Sequence, residues 1–353
     1  MKRHHWLAHA AALSAGVTLY AQTAAPPPQQ APTFRTGVRT VAVPANVFDD
    51  QGEIVTTLKR DDFLIFDDNK RQELTNFESG QQPITALVLI DTSASMIPRL
   101  DLAKLAAEQF IVRLWPGDKA RVGSFSDKVQ LVGDFTDDRD RLLRQIRDDL
   151  HIGNPTRMID AIAEGMTALA PLPGRRVLIV ISDGCDTSSH LKWDALLGRL
   201  PAEEFMVYAV QMGGRLPAGG RAQYPPGYRP NTMGGCIGRE FEFELSVMPA
   251  ESLSAFLTIN DPRRLLSPAQ VLGRLTAETG GGHFVLTARD DVNATFTKVM
   301  YELHHSYLLG FSPQVPDGKK HLITVRVNDL NLIVRARKAY LAPGAAGLQT
   351  GRK

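Results

Sequence analysis

The sequence predicts an α/β protein: a doubly wound, mainly parallel sheet with flanking helices, plus an accessory β domain assembled from the two flanks of the chain. Three observations predict it. Residues 84–90 (ITALVLI), 177–182 (VLIVIS) and 205–211 (FMVYAVQ) are near-continuous apolar runs, as expected of strands covered on both faces. Helical segments alternate with these runs, the pattern of a wound parallel sheet. Short β-rich runs broken by turn signals stand before and after this core.

The elements follow in order. Residues 38–47 (VRTVAVPANV) are valine-rich and end at the turn signal Asp49-Asp50-Gln51-Gly52. Residues 63–66 (FLIF) form a short strand before Asp67-Asp68-Asn69, and residues 73–77 form another. After the first central strand, residues 100–114 form an amphipathic helix with Leu102, Leu105, Ala106 and Phe110 on one side. Residues 118–125 and 129–135 are strands joined by Ser126-Asp127-Lys128. Residues 137–150 form a charged helix with one stripe of Leu142, Leu143, Ile146 and Leu150, and residues 158–169 form the next helix. A helix at 192–200 precedes the strand at 205–211. Residues 212–266 break the rhythm: a Gly/Pro-rich half is followed by a strand at 240–247 and a helix at 251–257. A helix at 267–279 opens on Ser267-Pro268 and stops at Gly280-Gly281-Gly282. A strand at 283–286, a last helix at 290–305, and strands at 307–311, 321–327 and 332–336 complete the chain.

Bulk composition is that of a globular protein: 353 residues, 43% hydrophobic and 22% charged. Residues 1–24 read as a secretory signal, with Lys2-Arg3 in the basic segment and an Ala-rich apolar stretch after it. Cleavage would remove two of 40 basic residues and leave 38 against 38 acidic. A near-neutral chain gives no electrostatic footprint for nucleic acid, and the apolar stretch is short for a stable membrane span. Export is therefore expected, to the periplasm, the cell surface or the medium. The two cysteines, Cys185 and Cys236, are compatible with one disulfide or with two buried thiols.

The chemistry concentrates at strand ends. The run at 84–90 ends in Asp91, and Ser93 and Ser95 follow at alternate positions. One carboxylate and two hydroxyls on one loop suit a hard divalent cation such as Mg²⁺. The run at 177–182 ends in Asp183, a second carboxylate at a second strand end. Between them, Gly153-Asn154-Pro155-Thr156 places a hydroxyl just before a helix. Ligands of doubly wound sheets bind outside the carboxyl ends where strand order reverses, so neighbouring strands would gather all five groups.

In these five residues the chain resembles the von Willebrand factor type A (VWFA) domain. Asp91, Ser93 and Ser95 match its DxSxS metal motif, Thr156 its lone threonine and Asp183 its second aspartate. Asn154-Pro155 stands where that loop usually carries glycines, and the 212–266 insertion is long. Residues 40–78, with Asp61-Asp62-Phe63, and the segments Tyr307-Leu308-Leu309-Gly310-Phe311 and Asp317-Gly318-Lys319 resemble the flanks of bacterial exported VWFA proteins of the acidobacterial type. The implied organisation is a signal peptide at 1–24, a Pro-rich leader at 25–33, a β segment at 34–80, the VWFA domain at 84–305, a C-terminal β segment at 306–343 that joins 34–80, and a disordered tail at 344–353.

The resemblance implies a non-enzymatic, metal-ion-dependent adhesion or protein-binding module of the cell envelope. Asp91, Ser93, Ser95, Thr156 and Asp183 would hold Mg²⁺, or Mn²⁺ or Ca²⁺, and the cation would accept an Asp or Glu carboxylate from a protein partner. The oligomeric state is not legible. Two other readings stay open: a structural or assembly subunit of an envelope complex, and a metal-dependent hydrolase. The hydrolase lacks support in sequence, because no G-x-S-x-G elbow surrounds either serine and no general base adjoins them.

The remaining polar groups read as structural. Asp186, Thr187 and Ser188 read as a helix cap or as outer partners of the metal loop. A Cys185–Cys236 bond would pin the insertion over the metal face. His151, His190, His283, His304, His305 and His321 are scattered and form no ligand set. Asp67-Asp68-Asn69 and Asp137-Asp138 read as turn and cap ahead of Ca²⁺ ligands. Arg335, Arg337 and Lys338 read as a solvated face.

Overall fold

The computed structural model describes residues 40–213, 268–315 and 317–344. The signal, the leader, the tail, Cys236 and nearly all of the 212–266 insertion lie outside them, as do the strand and helix expected there. Fourteen strands and six α-helices occur among the described residues.

The centre is a six-stranded sheet in the order β10-β9-β8-β5-β6-β7. Its strands are β5 (Ile84–Asp91), β6 (Lys119–Phe125), β7 (Val129–Thr136), β8 (Arg175–Ser182), β9 (Phe205–Met212) and β10 (His283–Leu286). All neighbours are parallel except β6 and β7, which the Ser126–Lys128 turn joins as an antiparallel pair. Two apolar layers cover the sheet. On one face Ala86, Val88 and Ile90 meet α1 (Leu100–Ile111), α2 (Arg139–Asp148) and α6 (Val292–His305). On the other, Leu87 and Leu89 meet α3 (Met158–Leu169), α4 (Trp193–Arg199) and α5 (Pro268–Thr279). Alternate residues of β5 thus feed two separate layers, which is why its sequence is apolar without a break. Each fully buried Leu, Ile or Phe contributes about 1.5–3 kcal/mol.

This winding fixes the site. The helix after β5 lies on one face and the helix after β8 on the other. Strand order therefore reverses between β5 and β8, which lie side by side with Ile90 opposite Ile181. Their carboxyl ends open into one crevice.

The flanks form the expected accessory β domain, a sandwich of two sheets. One has the order β13-β1-β11-β4 and the other β14-β12-β2-β3. The N-terminal flank supplies β1 (Val41–Phe48), β2 (Phe63–Asp67), β3 (Lys70–Gln72) and β4 (Leu74–Glu78). The C-terminal flank supplies β11 (Tyr307–Phe311), β12 (Lys320–Val327), β13 (Ile333–Ala336) and β14 (Ala339–Leu341). The two flanks interleave in both sheets: β1 pairs with β11 and β13, and β2 with β12. Val43, Val47, Ile65, Leu309, Phe311 and Tyr340 fill the space between the sheets.

Three expectations are corrected. In α1 the buried face is Ala103, Ala106, Ala107, Phe110 and Ile111, whereas Leu105 is 42% exposed. Small alanines let the helix approach the sheet and turn Leu105 outward. The strands β3 and β14 were not expected, because Lys70-Arg71-Gln72 and Ala339-Tyr340-Leu341 are too short to show a period. The basic run of β13–β14 is not a solvated face. Arg337 is 5% exposed and donates to the carbonyls of Ala339 and Pro201, and Arg335 pairs with Glu302 and lies over the Phe48 ring. Lys338 alone of the three is exposed.

Candidate metal centre at the β5–β8 crevice

Three loops meet at the crevice: the one after β5, the one before α3, and the one after β8. Side-chain and backbone hydrogen bonds tie them into a closed ring. Thr92 joins the first two: its carbonyl accepts from Gly153 N–H at 3.3 Å, its hydroxyl donates to the His151 carbonyl, and Ser93 bridges to Gly153. The second and third loops meet at Thr156. Its carbonyl accepts from the N–H groups of Thr187 (3.0 Å) and Ser188 (2.9 Å), and its own N–H donates to Thr187 Oγ1 at 3.0 Å. Ser182 closes the ring by donating from Oγ to Asp91 Oδ2 at 2.6 Å.

The start of α3 explains why the third loop sits where it does. The first turn of a helix leaves N–H groups without partners, and Arg157 at the N-cap position offers no side-chain acceptor. The loop after β8 supplies acceptors instead. Asp186 Oδ1 accepts from Ile159 N–H at 3.0 Å, and Ser189 Oγ accepts from Asp160 N–H at 3.1 Å. Asp186, Thr187 and Ser188 thus act as both cap and outer support for the Thr156 loop.

The sequence-expected residues fall as follows. Asp91 is fully buried at the end of β5, and its Oδ1 accepts from Ser93 N–H at 3.0 Å. Ser93 is buried, Ser95 is exposed, and their Oγ atoms are 3.2 Å apart. Thr156 is 4% exposed. Asp183 is half-buried beyond β8, with Oδ1 accepting from Cys185 N–H at 3.1 Å. Gly184, with φ +87°, makes the turn that returns its N–H to Ser182 Oγ at 2.9 Å. The donors therefore run from a buried floor at Asp91 to an open rim at Ser95.

The electrostatics of this set fit a divalent cation. Burial pushes the Asp91 carboxyl up to about 7, the negative charge of Asp183 pushes in the same direction, and hydrogen bonds from Ser182 and Ser93 oppose both. Two carboxylates and a hydroxyl pair with no basic side chain hydrogen-bonded to them, among the described residues, constitute an acceptor-rich pocket that a cation would relieve. The size also fits. Adjacent ligands of an octahedral ion with bonds of about 2.0–2.1 Å lie about 3 Å apart, close to the 3.2 Å between the two serine hydroxyls.

Ser182 and Thr92 were not anticipated as supports. Of the two, Ser182 left a signal, as a polar residue closing an apolar strand. Cys185 is disulfide-bonded and 6% exposed, and Cys236 lies outside the described residues. On the rim, His151 pairs with Asp127 at 2.8 Å and Arg157 with Asp160 at 2.7 Å. Asp138 caps α2 by accepting from Arg141 N–H at 2.9 Å, as the turn-and-cap reading expects.

A correction arises away from this crevice. His321 is not an isolated histidine, because its Nδ1 faces Asp67 and Asp68 at 2.9 and 3.1 Å. These residues are 254 positions or so apart in the chain, so no local spacing could signal the contact.

Residues 86–185 match the family model of the von Willebrand factor type A domain. The matched stretch spans Asp91, Ser93, Ser95, Thr156 and Asp183. Among solved structures, it is similar to an aerotolerance-related membrane protein from Bacteroides fragilis, at 16% identity over 62% of this chain and 98% of that one, with a TM-score of 0.41. BatB from Bacteroides thetaiotaomicron gives 18% identity over 62% and 97%, with a TM-score of 0.41. A von Willebrand factor type A protein from Catenulispora acidiphila gives 12% identity over 82% and 78%, with a TM-score of 0.40. No curated protein matches the chain.

Proposed function

We propose that this chain is a non-enzymatic, metal-ion-dependent protein-binding module of the cell envelope. The observation that carries the reading is the buried Asp91 carboxylate, facing the charge of Asp183 beside two hydroxyls 3.2 Å apart at the mouth of the β5–β8 crevice. Ser93, Ser95 and Thr156 would offer hydroxyls to Mg²⁺ or Mn²⁺, and Asp91 and Asp183 would act mostly through water. Neutral ligands leave such an ion electron-poor, and it supplies an open position for a carboxylate from a partner's Asp or Glu. The closed ring through Thr92, Thr156 and Ser182 holds the donors in place before any partner arrives, which lowers the ordering cost of binding.

A hydrolase is disfavoured by the surroundings of the serines. Among the described residues no histidine is hydrogen-bonded to Ser93 or Ser95, and a serine nucleophile needs such a base. Export to the periplasm or cell surface is part of the proposal. Among the described residues, no helix is long and apolar enough to cross a membrane.

The test is calorimetric titration of the EDTA-treated chain with Mg²⁺ and Mn²⁺, alongside capture of envelope proteins with and without EDTA. Wild type is expected to take up the cation and to lose its captured partner in EDTA. Asp91→Ala is expected to do neither. Equal capture in every condition would refute the proposal.

A further inference from the structure

We propose a second metal site, in the β sandwich, where Asp67, Asp68 and His321 take a first-row divalent transition ion of the Zn²⁺ type. It is independent of the crevice at β5 and β8.

The site forms where the two flanks of the chain meet. Asp67 ends β2, and β2 pairs with β12, which carries His321 near its start. Asp68 and Asn69 follow with φ +45° and +64°, a left-handed turn into β3. That turn swings the Asp68 carboxylate back over β12, where Oδ1 accepts from Leu322 N–H at 2.9 Å. Its Oδ2 then lies 3.1 Å from His321 Nδ1, and Asp67 Oδ1 lies 2.9 Å from the same nitrogen. One donor atom from each residue falls within 4.8 Å of the other two.

The two distances from His321 Nδ1, 2.9 and 3.1 Å, are the size of a coordination shell. Bonds of about 2.0–2.2 Å at tetrahedral to octahedral angles place neighbouring donors about 2.8–3.6 Å apart. Each donor residue also has an outer partner that uses its remaining polar atom. Tyr340 Oη donates to Asp67 Oδ2 at 2.9 Å, Leu322 N–H holds Asp68 Oδ1, and Asp317 Oδ1 lies 3.2 Å from His321 Nε2. A carboxylate on the far ring nitrogen of histidine fixes the tautomer that turns Nδ1 toward a metal. Burial is asymmetric in the useful sense. The side chains of His321 and Asp67 are 9% and 6% exposed, whereas Asp68 is 51% exposed and leaves a path for the ion and its waters. Lys319 approaches Asp317 at 3.9 Å but is 78% exposed and does not enter the cluster. An imidazole with two carboxylates favours Zn²⁺ and its neighbours over Mg²⁺, which the all-oxygen set at β5 suits better.

An ion here would clamp the β2–β3 turn to β12, joining the N-terminal flank to the C-terminal one. Binding only the folded form, it would raise the stability of the sandwich.

The experiment uses the full chain carrying Asp91→Ala, stripped with EDTA, so that the crevice site contributes nothing. Zn²⁺ uptake is followed by calorimetry, Co²⁺ uptake by visible absorption, and melting temperature with and without Zn²⁺. One bound ion per chain and a Zn²⁺-dependent rise in melting temperature are expected. Adding Tyr340→Phe should weaken binding about 10–100-fold, the usual loss when an outer partner is removed. Adding Asp68→Asn or His321→Gln should weaken it further. Asp68→Asn is the safer variant for folding, because asparagine accepts the left-handed turn. Absence of Zn²⁺ uptake, or uptake unchanged by Asp68→Asn, overturns the proposal.

Discussion

Replacing Asp186 with alanine tests whether the loop after β8 sets the geometry of Thr156. The carboxylate accepts from Ile159 N–H in the first turn of α3 and from Ser189 Oγ. Loss of a capping acceptor costs about 1 kcal/mol, and leaving the part-buried amide without a partner adds about 1 kcal/mol or more. Burial raises the Asp186 carboxyl above its ordinary range, so removing it recovers part of that desolvation cost. A net loss of about 1–2 kcal/mol follows. Because Thr156 shares this loop contact, part of the loss should appear as weaker cation binding, up to about tenfold for about 1.4 kcal/mol. Urea denaturation would read the first effect and Mn²⁺ calorimetry the second. Asp186→Asn keeps an acceptor oxygen and should recover most of both. If Asp186→Ala shifts neither midpoint nor affinity, or if Asn is as damaging as Ala, the loop does not hold Thr156 and the reasoning fails.

Two further perturbations have signed outcomes. Burial alone would raise the Asp160 carboxyl, but N–H groups of His190 and Leu191 and the Arg157 guanidinium hold it below the ordinary range. Its stabilisation is therefore complete above the unfolded value of about 4 and disappears as pH falls through the lower folded value. Asp160→Asn should be less stable than wild type at pH 7 by about 1–3 kcal/mol, and urea midpoints of the two should converge below about pH 4. At Gly281 an added Cβ would lie 1.9 Å from the carbonyl oxygen of Val207 in β9, whereas at Gly174, with φ +78°, it would meet nothing within 4 Å. Gly281→Ala should lower the melting temperature by the equivalent of about 1–3 kcal/mol or more, against about 1 kcal/mol for Gly174→Ala. A smaller loss at Gly281 than at Gly174 would contradict the backbone contact.

Legibility followed the range of the interaction. The central strands were plain in sequence because burial on both faces leaves long apolar runs. Asp91 and Asp183 were visible as the polar residues that end two of those runs. Their nearness could be inferred because the order of strands and helices restricts a wound sheet to few arrangements. What was hidden depended on contacts between distant segments. Arg337 buried against the Pro201 carbonyl and His321 beside Asp67 each join residues with no shared period, and Asp186 was legible as a cap but not as the cap of α3. Leu105 misled for the opposite reason: its spacing fits a buried stripe, but the alanines opposite the sheet decide which face turns inward.

The interleaving of the two flanks has a kinetic side. Strand β2 finds its partner β12 about 254 residues later in the chain, as the Leu322–Asp68 contact records. At about 5–20 residues per second, the ribosome takes roughly 13–50 s to supply it. Throughout that interval β1, β2 and β4 have unsatisfied edges and an uncovered apolar face, the condition that invites pairing with the wrong chain. The α/β domain can complete its own sheet meanwhile, and by bringing the carboxyl end of α6 back toward β5 it delivers β11 to the waiting strands. The sandwich is thus the last part to form, and newly made chains stalled before β11 should be the aggregating species.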